Sequence, residues 1–202
     1  MIEINCHSSI KITDGKVIYI DPFKIEKEKH DADIILITHD HYDHYSPEDI
    51  ERIEKKETII VAPKTIKALS KKKNVFLVEP NNKYEIQGIN IETIIAYNLN
   101  KQFHPKENGW VGYIVEVGDT RYYIAGDTDI TPENKQVKCD VALLPVGGTY
   151  TMDYKEAAEL ANIIKPKVAI PTHYGNIVGE KEDGERFKKL LNIEIECKII
   201  IK

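Results

Sequence analysis

Asp33-Ile34-Ile35-Leu36-Ile37-Thr38-His39-Asp40-His41-Tyr42-Asp43-His44 is an apolar run that stops abruptly in three histidines and two acids within six residues. A buried strand whose carboxyl end opens into a site reads this way, with Ile34 to Ile37 as scaffold and the polar end as chemistry. In His39-x-His41-x-Asp43-His44 the polar residues cannot all share one face of a regular strand, so a loop must wrap them around a common centre. Packed beside an apolar core, so many titrating groups are costly unless something neutralises them. A metal does so, and imidazole with carboxylate suits zinc, manganese or iron.

Two later stretches repeat the arrangement: Asp127 follows Tyr122-Tyr123-Ile124-Ala125-Gly126, and His173 follows Val168-Ala169-Ile170-Pro171-Thr172. A strand end holds a ligand rigidly, and Gly126 would let the backbone come close. Taken alone, Gly126-Asp127-Thr128 is also a turn or helix cap, and His173 a loop residue. Asp21, at the end of a third apolar stretch, either accepts a hydrogen bond from a ligating histidine or caps the turn before Pro22. His7 faces substrate or metal, or packs in the core. Tyr42, Tyr150 and Tyr174 are candidates to line a pocket.

The rest of the chain alternates between two patterns. Ile2 to Ile4, Ile10 to Thr13 and Val17 to Ile20 read as short strands, with a hairpin at Asp14-Gly15. Ser46-Pro47-Glu48-Asp49 is a helix start with a capping hydroxyl, proline in the first turn and acids at the positive end of the dipole. Thr58 to Ala62 is a strand, Pro63 to Lys72 a helix with Ile66 and Leu69 inward, and Asn74 to Val78 a strand; Lys71-Lys72-Lys73 is the solvated end of that helix. Paired strands return at Lys83 to Ile86 with Ile89 to Tyr97, and at Gly112 to Val117 with Arg121 to Ala125. Val141 to Leu144 is a strand, Asp153 to Glu156 a capping box opening a helix, Val168 to Pro171 a strand, Glu185 to Leu191 a helix and Ile193 to Ile201 a closing strand. Meander, α/β segment, meander, α/β segment suggests two sheets packed face to face.

These motifs carry a resemblance. Thr38 to His44, Ile20-Asp21-Pro22, Ala125-Gly126-Asp127-Thr128 and Pro171-Thr172-His173-Tyr174 together resemble the signature of the metallo-β-lactamase superfamily, over nearly the whole chain. Within it, Cys6-His7-Ser8-Ser9 and Leu144-Pro145-Val146-Gly147-Gly148 are most similar to metal-dependent hydrolases related to L-ascorbate-6-phosphate lactonase. The resemblance implies an α/β four-layer αββα sandwich of two mixed sheets with helices outside. It also implies two divalent metals, zinc foremost with manganese or iron as alternatives: His39 and His41 on the first, Asp43, His44 and His173 on the second, Asp127 bridging. The activity implied is hydrolysis of a small, anionic ester or lactone by metal-activated water, with Asp43 orienting that water or passing a proton. The same site would serve a phosphodiesterase or nuclease, or a non-hydrolytic iron protein or inactive metal binder. One position departs: the superfamily has a ligating histidine after the strand corresponding to Ile89 to Tyr97, where this chain has Asn98-Leu99-Asn100. His104 is the nearby replacement, provided that the loop from Asn98 to Gly109 folds inward.

At 202 residues, with 42% hydrophobic and 30% charged residues, the chain is expected to form one domain over 1–202. No apolar window reaches ~18 residues and no signal peptide is apparent, so a soluble, cytoplasmic protein is expected. A net charge of −5 argues against nucleic acid as partner; a small-molecule substrate, and at most further copies of the chain, are expected instead. Cys6, Cys139 and Cys197 are widely spaced, as in reduced thiols of an intracellular protein.

Overall fold

A computed structural model describes residues 1–70 and 72–201. One sheet has six strands in chain order: β1 (Ile2–Cys6), β2 (Ser9–Asp14), β3 (Lys16–Ile20), β4 (Ala32–Leu36), β5 (Glu54–Pro63) and β6 (Val75–Val78). The other has seven, running in space from last to first: β7 (Lys83–Ile86), β8 (Ile89–Ile95), β9 (Val111–Val117), β10 (Thr120–Ile124), β11 (Val141–Pro145), β12 (Val168–Thr172) and β13 (Glu196–Cys197). Each begins as an antiparallel meander and continues as a parallel run, from β3 onward in the first and from β10 onward in the second.

Side-chain alternation explains the layers. Ile34 and Leu36 of β4 join Ile18, Ile20 and Val61 in a core shared with Val111, Tyr113, Ile124, Leu143 and Ile170 of the other sheet. Their neighbours Ile35 and Ile37 point the other way, against Ile50 and Ile53 of helix α1 (Pro47–Ile53). On the second sheet Tyr123, Ala142, Leu144 and Ala169 likewise meet Ala157, Leu160, Ala161 and Ile164 of helix α2 (Tyr154–Ile164). Period-2 strands buried on both faces read as continuous apolar runs, and this produces helix, sheet, sheet, helix. Truncating a fully buried residue of the central layer, such as Ile34, to Ala should cost about 2–5 kcal/mol.

The helix starts follow the sequence. Ser46 caps α1 through the Asp49 amide, and Asp153 with Glu156 forms the full capping box of α2, worth about 0.5–2 kcal/mol. Among the described residues the helix expected over Pro63 to Lys72 is absent: β5 runs through Pro63, and a single 3₁₀ turn, Lys67–Leu69, follows there, without a side-chain cap. Ile66 and Leu69 are buried as expected, but two apolar positions one turn apart support no longer helix. Of the lysine run at its end, Lys71 lies outside the described residues. The last helix is α3 (Asp183–Lys188), and the expected closing strand shrinks to β13 plus a lone bridge from Ile201 to Ile4. Among the described residues no helix is long and apolar enough to cross a membrane.

Candidate metal centre

The polar residues singled out in the sequence gather at the carboxyl ends of strands from both sheets. The β4 loop brings His39, His41, Asp43 and His44; His7 follows β1 and Asp21 follows β3. Asp127 follows β10, His173 follows β12, and His104 lies in the loop after β8. Three groups have donor atoms within 4.8 Å of one another: His39, His41 and His104; His39, His44 and Asp127; and His7, Asp43, His44 and His173.

Asp127 stands between them. Its Oδ2 lies 3.2 Å from Nε2 of His104, 3.2 Å from Nε2 of His173 and 3.8 Å from Nε2 of His39, while its Oδ1 lies 3.4 Å from Nε2 of His44. Asp43 Oδ2 faces Nε2 of His7 at 3.1 Å, of His44 at 3.6 Å and of His173 at 3.8 Å. His39 Nε2 and His41 Nδ1 are 3.1 Å apart.

Backbone conformation turns these side chains inward. His7, Asp21, His104 and His173 all have positive φ, between 46° and 61°. Such conformations are uncommon for residues with a Cβ and collect at functional sites. Gly126, at φ 65°, allows the turn into Asp127, and a Cβ on Gly147 would collide with the His173 carbonyl oxygen. The His173 amide also donates to the His7 carbonyl at 3.0 Å, tying the first strand's end to that of β12.

Asp21 sets the tautomers. Its Oδ1 accepts from the Thr38 amide at 2.8 Å; its Oδ2 accepts from the Thr38 hydroxyl and from Nδ1 of His44, each at 2.7 Å. Because the Thr38 hydroxyl gives its one proton to Asp21, its oxygen accepts from Nδ1 of His39 at 2.9 Å. Both histidines therefore carry the proton on Nδ1 and present the Nε2 lone pair to the centre.

Burial holds His39 well below its ordinary pKa and pushes His7 down to about 4 despite the neighbouring Asp43. Burial also opposes charge on the two acids, but the surrounding imidazoles outweigh it: Asp127 stays well below the carboxylate range and Asp43 near 2. His44 is the reverse case. Burial would neutralise it, yet Asp127, Asp21 and Asp43 raise it to about 9. Three carboxylates gathered around one buried imidazole mark a pocket of negative potential that takes a cation.

The orphaned atoms test whether a metal fits. Nε2 of His44, His104 and His173 and Oδ1 of Asp127 are all buried without a hydrogen-bond partner. Buried polar atoms are nearly always paired, and four unpaired lone-pair atoms converging on one centre form a donor set that a metal ion would satisfy. The donor set suits zinc, manganese or iron.

Residues 2–173 match the β-lactamase superfamily domain. The chain belongs to the metallo-β-lactamase superfamily. It is 31% identical over 198 residues to a metal-dependent hydrolase of Thermoplasma acidophilum, covering 91% of this chain and 87% of that protein. A metal-dependent hydrolase of Staphylothermus marinus is 35% identical over 216 residues, covering 96% and 92%. Among solved structures, a metal-dependent hydrolase from Parabacteroides distasonis superposes with a TM-score of 0.84 at 33% identity, covering 98% of this chain and 91% of that one. This chain is an enzyme of the same kind.

Within this superfamily member His7, expected either to face substrate or metal or to pack in the core, falls in the same donor group as Asp43, His44 and His173, with its ring centroid 3.7 Å from that of His173. Tyr174 corrects an expectation: the residue after His173 points away from the centre, and this ring is buried against Gly179 and Gly184 in the layer below α2. Tyr42 and Tyr150 do line the cleft. Two contributors were missed. Trp110 walls the centre, its ring 4.9 Å from those of both His39 and His41. Asn98 pins the His104 loop, its side-chain amide donating to the carbonyls of Phe103 at 2.9 Å and Tyr150 at 2.7 Å. An asparagine where the superfamily has histidine was the available signal.

Proposed function

We propose that this chain hydrolyses a small ester or lactone with metal-activated water. The convergence of unpartnered Nε2 atoms of His44, His104 and His173 with Oδ1 of Asp127 supports this reading most directly. We assign His39, His41 and His104 to one ion, Asp43, His44 and His173 to another with His7 beside them, and Asp127 to both. Divalent ions bound there would supply a water acidic enough to attack near neutral pH and would polarise the scissile carbonyl.

The protein's own groups do the rest. Asp43, ionised and close to the cleft, holds an acceptor at Oδ2 that orients water or carries a proton to the leaving oxygen. Asp21 and Thr38 lock the ligand tautomers before substrate arrives. Trp110 keeps water from one flank of the histidines. The expected anionic substrate would find no lysine or arginine among the lining residues, so any attraction for it comes from the metals. Cytoplasmic residence rests on three free cysteines.

The test is elemental analysis of the isolated protein followed by a panel of esters, lactones and phosphodiesters. Bound zinc, manganese or iron with ester or lactone turnover is expected; turnover of phosphodiesters alone would replace the reading with phosphodiester cleavage. Coordinates with metal bound test His104, for which a ring nitrogen ~2.0–2.3 Å from the ion is expected.

A further inference from the structure

The cleft above the centre has a volume of about 250 Å³, at the small end for a ligand pocket. Its floor is the cluster of histidines and aspartates. Its remaining walls are Tyr42, Phe103, Tyr150, Ile177 and Val178, all aromatic or aliphatic. Tyr42 and Phe103 are 67% and 44% exposed, although large apolar side chains ordinarily fold inward. Both are braced in place: Phe103 meets Tyr150 edge-on at 4.9 Å, and Tyr42 meets Phe23 edge-on at 6.1 Å. Asn98 ties the backbone of Phe103 to that of Tyr150. Apolar rings held open around a polar floor form a surface prepared for a ligand.

We propose that the arm of the substrate leading away from the reacting centre is uncharged and apolar, an aryl or short alkyl group, seated against Phe103, Tyr150, Ile177 and Val178. This rests on the hydrolase reading for the reacting end and names the class of group at the other. An anionic arm lying along these walls would lose water and gain no cation, which is unfavourable. A methylene seated there instead gains roughly fourfold in binding, until the cleft is full. Tyr150 and Tyr42 offer hydroxyls at the rim, which tolerate a polar but neutral end.

The test uses the zinc-loaded full chain and hydroxamates, whose head group chelates metal while the tail explores the cleft. Calorimetry is run on alkyl hydroxamates of increasing length, on benzohydroxamate, and on one whose tail ends in a carboxylate. Affinity should rise roughly fourfold per methylene and then level off, with the carboxylate tail weaker than its neutral isostere. Phe103→Ala should flatten the dependence on tail length while zinc content stays the same. Affinities independent of tail, or a preference for the carboxylate, would overturn the inference, as would no hydroxamate binding by protein of verified zinc content. Turnover is measured in parallel on neutral and phosphorylated lactones. Preference for the phosphorylated ones overturns the apolar arm and leaves hydrolysis standing; no turnover alongside the expected tail dependence does the opposite.

Discussion

One buried carboxylate, Asp21, accepts hydrogen bonds at 2.7 Å from both Nδ1 of His44 and the hydroxyl of Thr38, and Thr38 in turn meets Nδ1 of His39 at 2.9 Å. Two imidazoles of the donor groups are thus aimed by a residue that belongs to none of those groups. Asp21→Asn keeps the volume but presents an amide where two donors converge. Metal affinity should fall about 10–100-fold with the fold preserved. Competition with a coloured chelator, alongside circular dichroism, measures it; unchanged affinity would leave Asp21 as a turn cap only.

Metal should stabilise the folded chain, because its ligands are assembled only when both sheets are in place. At a free metal concentration 100 times Kd the gain is about 2.7 kcal/mol. Chelation should therefore lower the melting temperature, and readdition should restore it. A melting curve indifferent to verified metal removal would count against the centre.

Asp43 and Cys6 make a contrasting pair. Asp43→Asn removes the acceptor charge and should reduce kcat by ~10²–10⁴-fold on a substrate found by the panel. Cys6 is buried at the end of β1, outside the residues lining the cleft, and burial raises its thiol pKa. Cys6→Ser should leave turnover unaffected. Loss of activity in the cysteine variant at constant metal content would point to a thiol mechanism.

Away from the centre, Asp31 accepts from Lys11 Nζ at 2.7 Å and from the Tyr19 hydroxyl at 2.8 Å. Partial burial works against its charge, but these two donors outweigh it, and its pKa is lowered from the ordinary 3.8. The unfolded chain therefore binds this proton more readily. Asp31 contributes stability that is fully present above pH ~4 and is lost as pH falls through the lower folded value. Denaturant unfolding from pH 6 to pH 2 should show a shallower acid decline in Asp31→Asn than in the parent chain. Parallel profiles would show that the pair contributes nothing.

The strands, the helix caps and the cluster at His39 to His44 were legible because each is a local pattern: period-2 burial, a capping box, a dense run of donors. What stayed hidden depends on direction. Whether His7 or His104 points inward is decided by positive φ at each, which no neighbouring residue announces. Tyr174, next to His173 in sequence, belongs to the opposite side of the backbone. The helix over 63–72 failed because Ile66 and Leu69 bury only one turn's worth of apolar face, whatever the helical propensity of its lysines.

The hydrogen bond from the His173 amide to the His7 carbonyl joins the residues that follow the first and the twelfth strand. Chains are synthesised at about 5–20 residues per second, so the histidines after β4 emerge several seconds or more before Asp127 and His173. During that interval a nascent chain displays an unfinished chelate with no second sheet to close it. A centre built from both sheets can therefore be complete only after translation has delivered β12 and the residue that follows it.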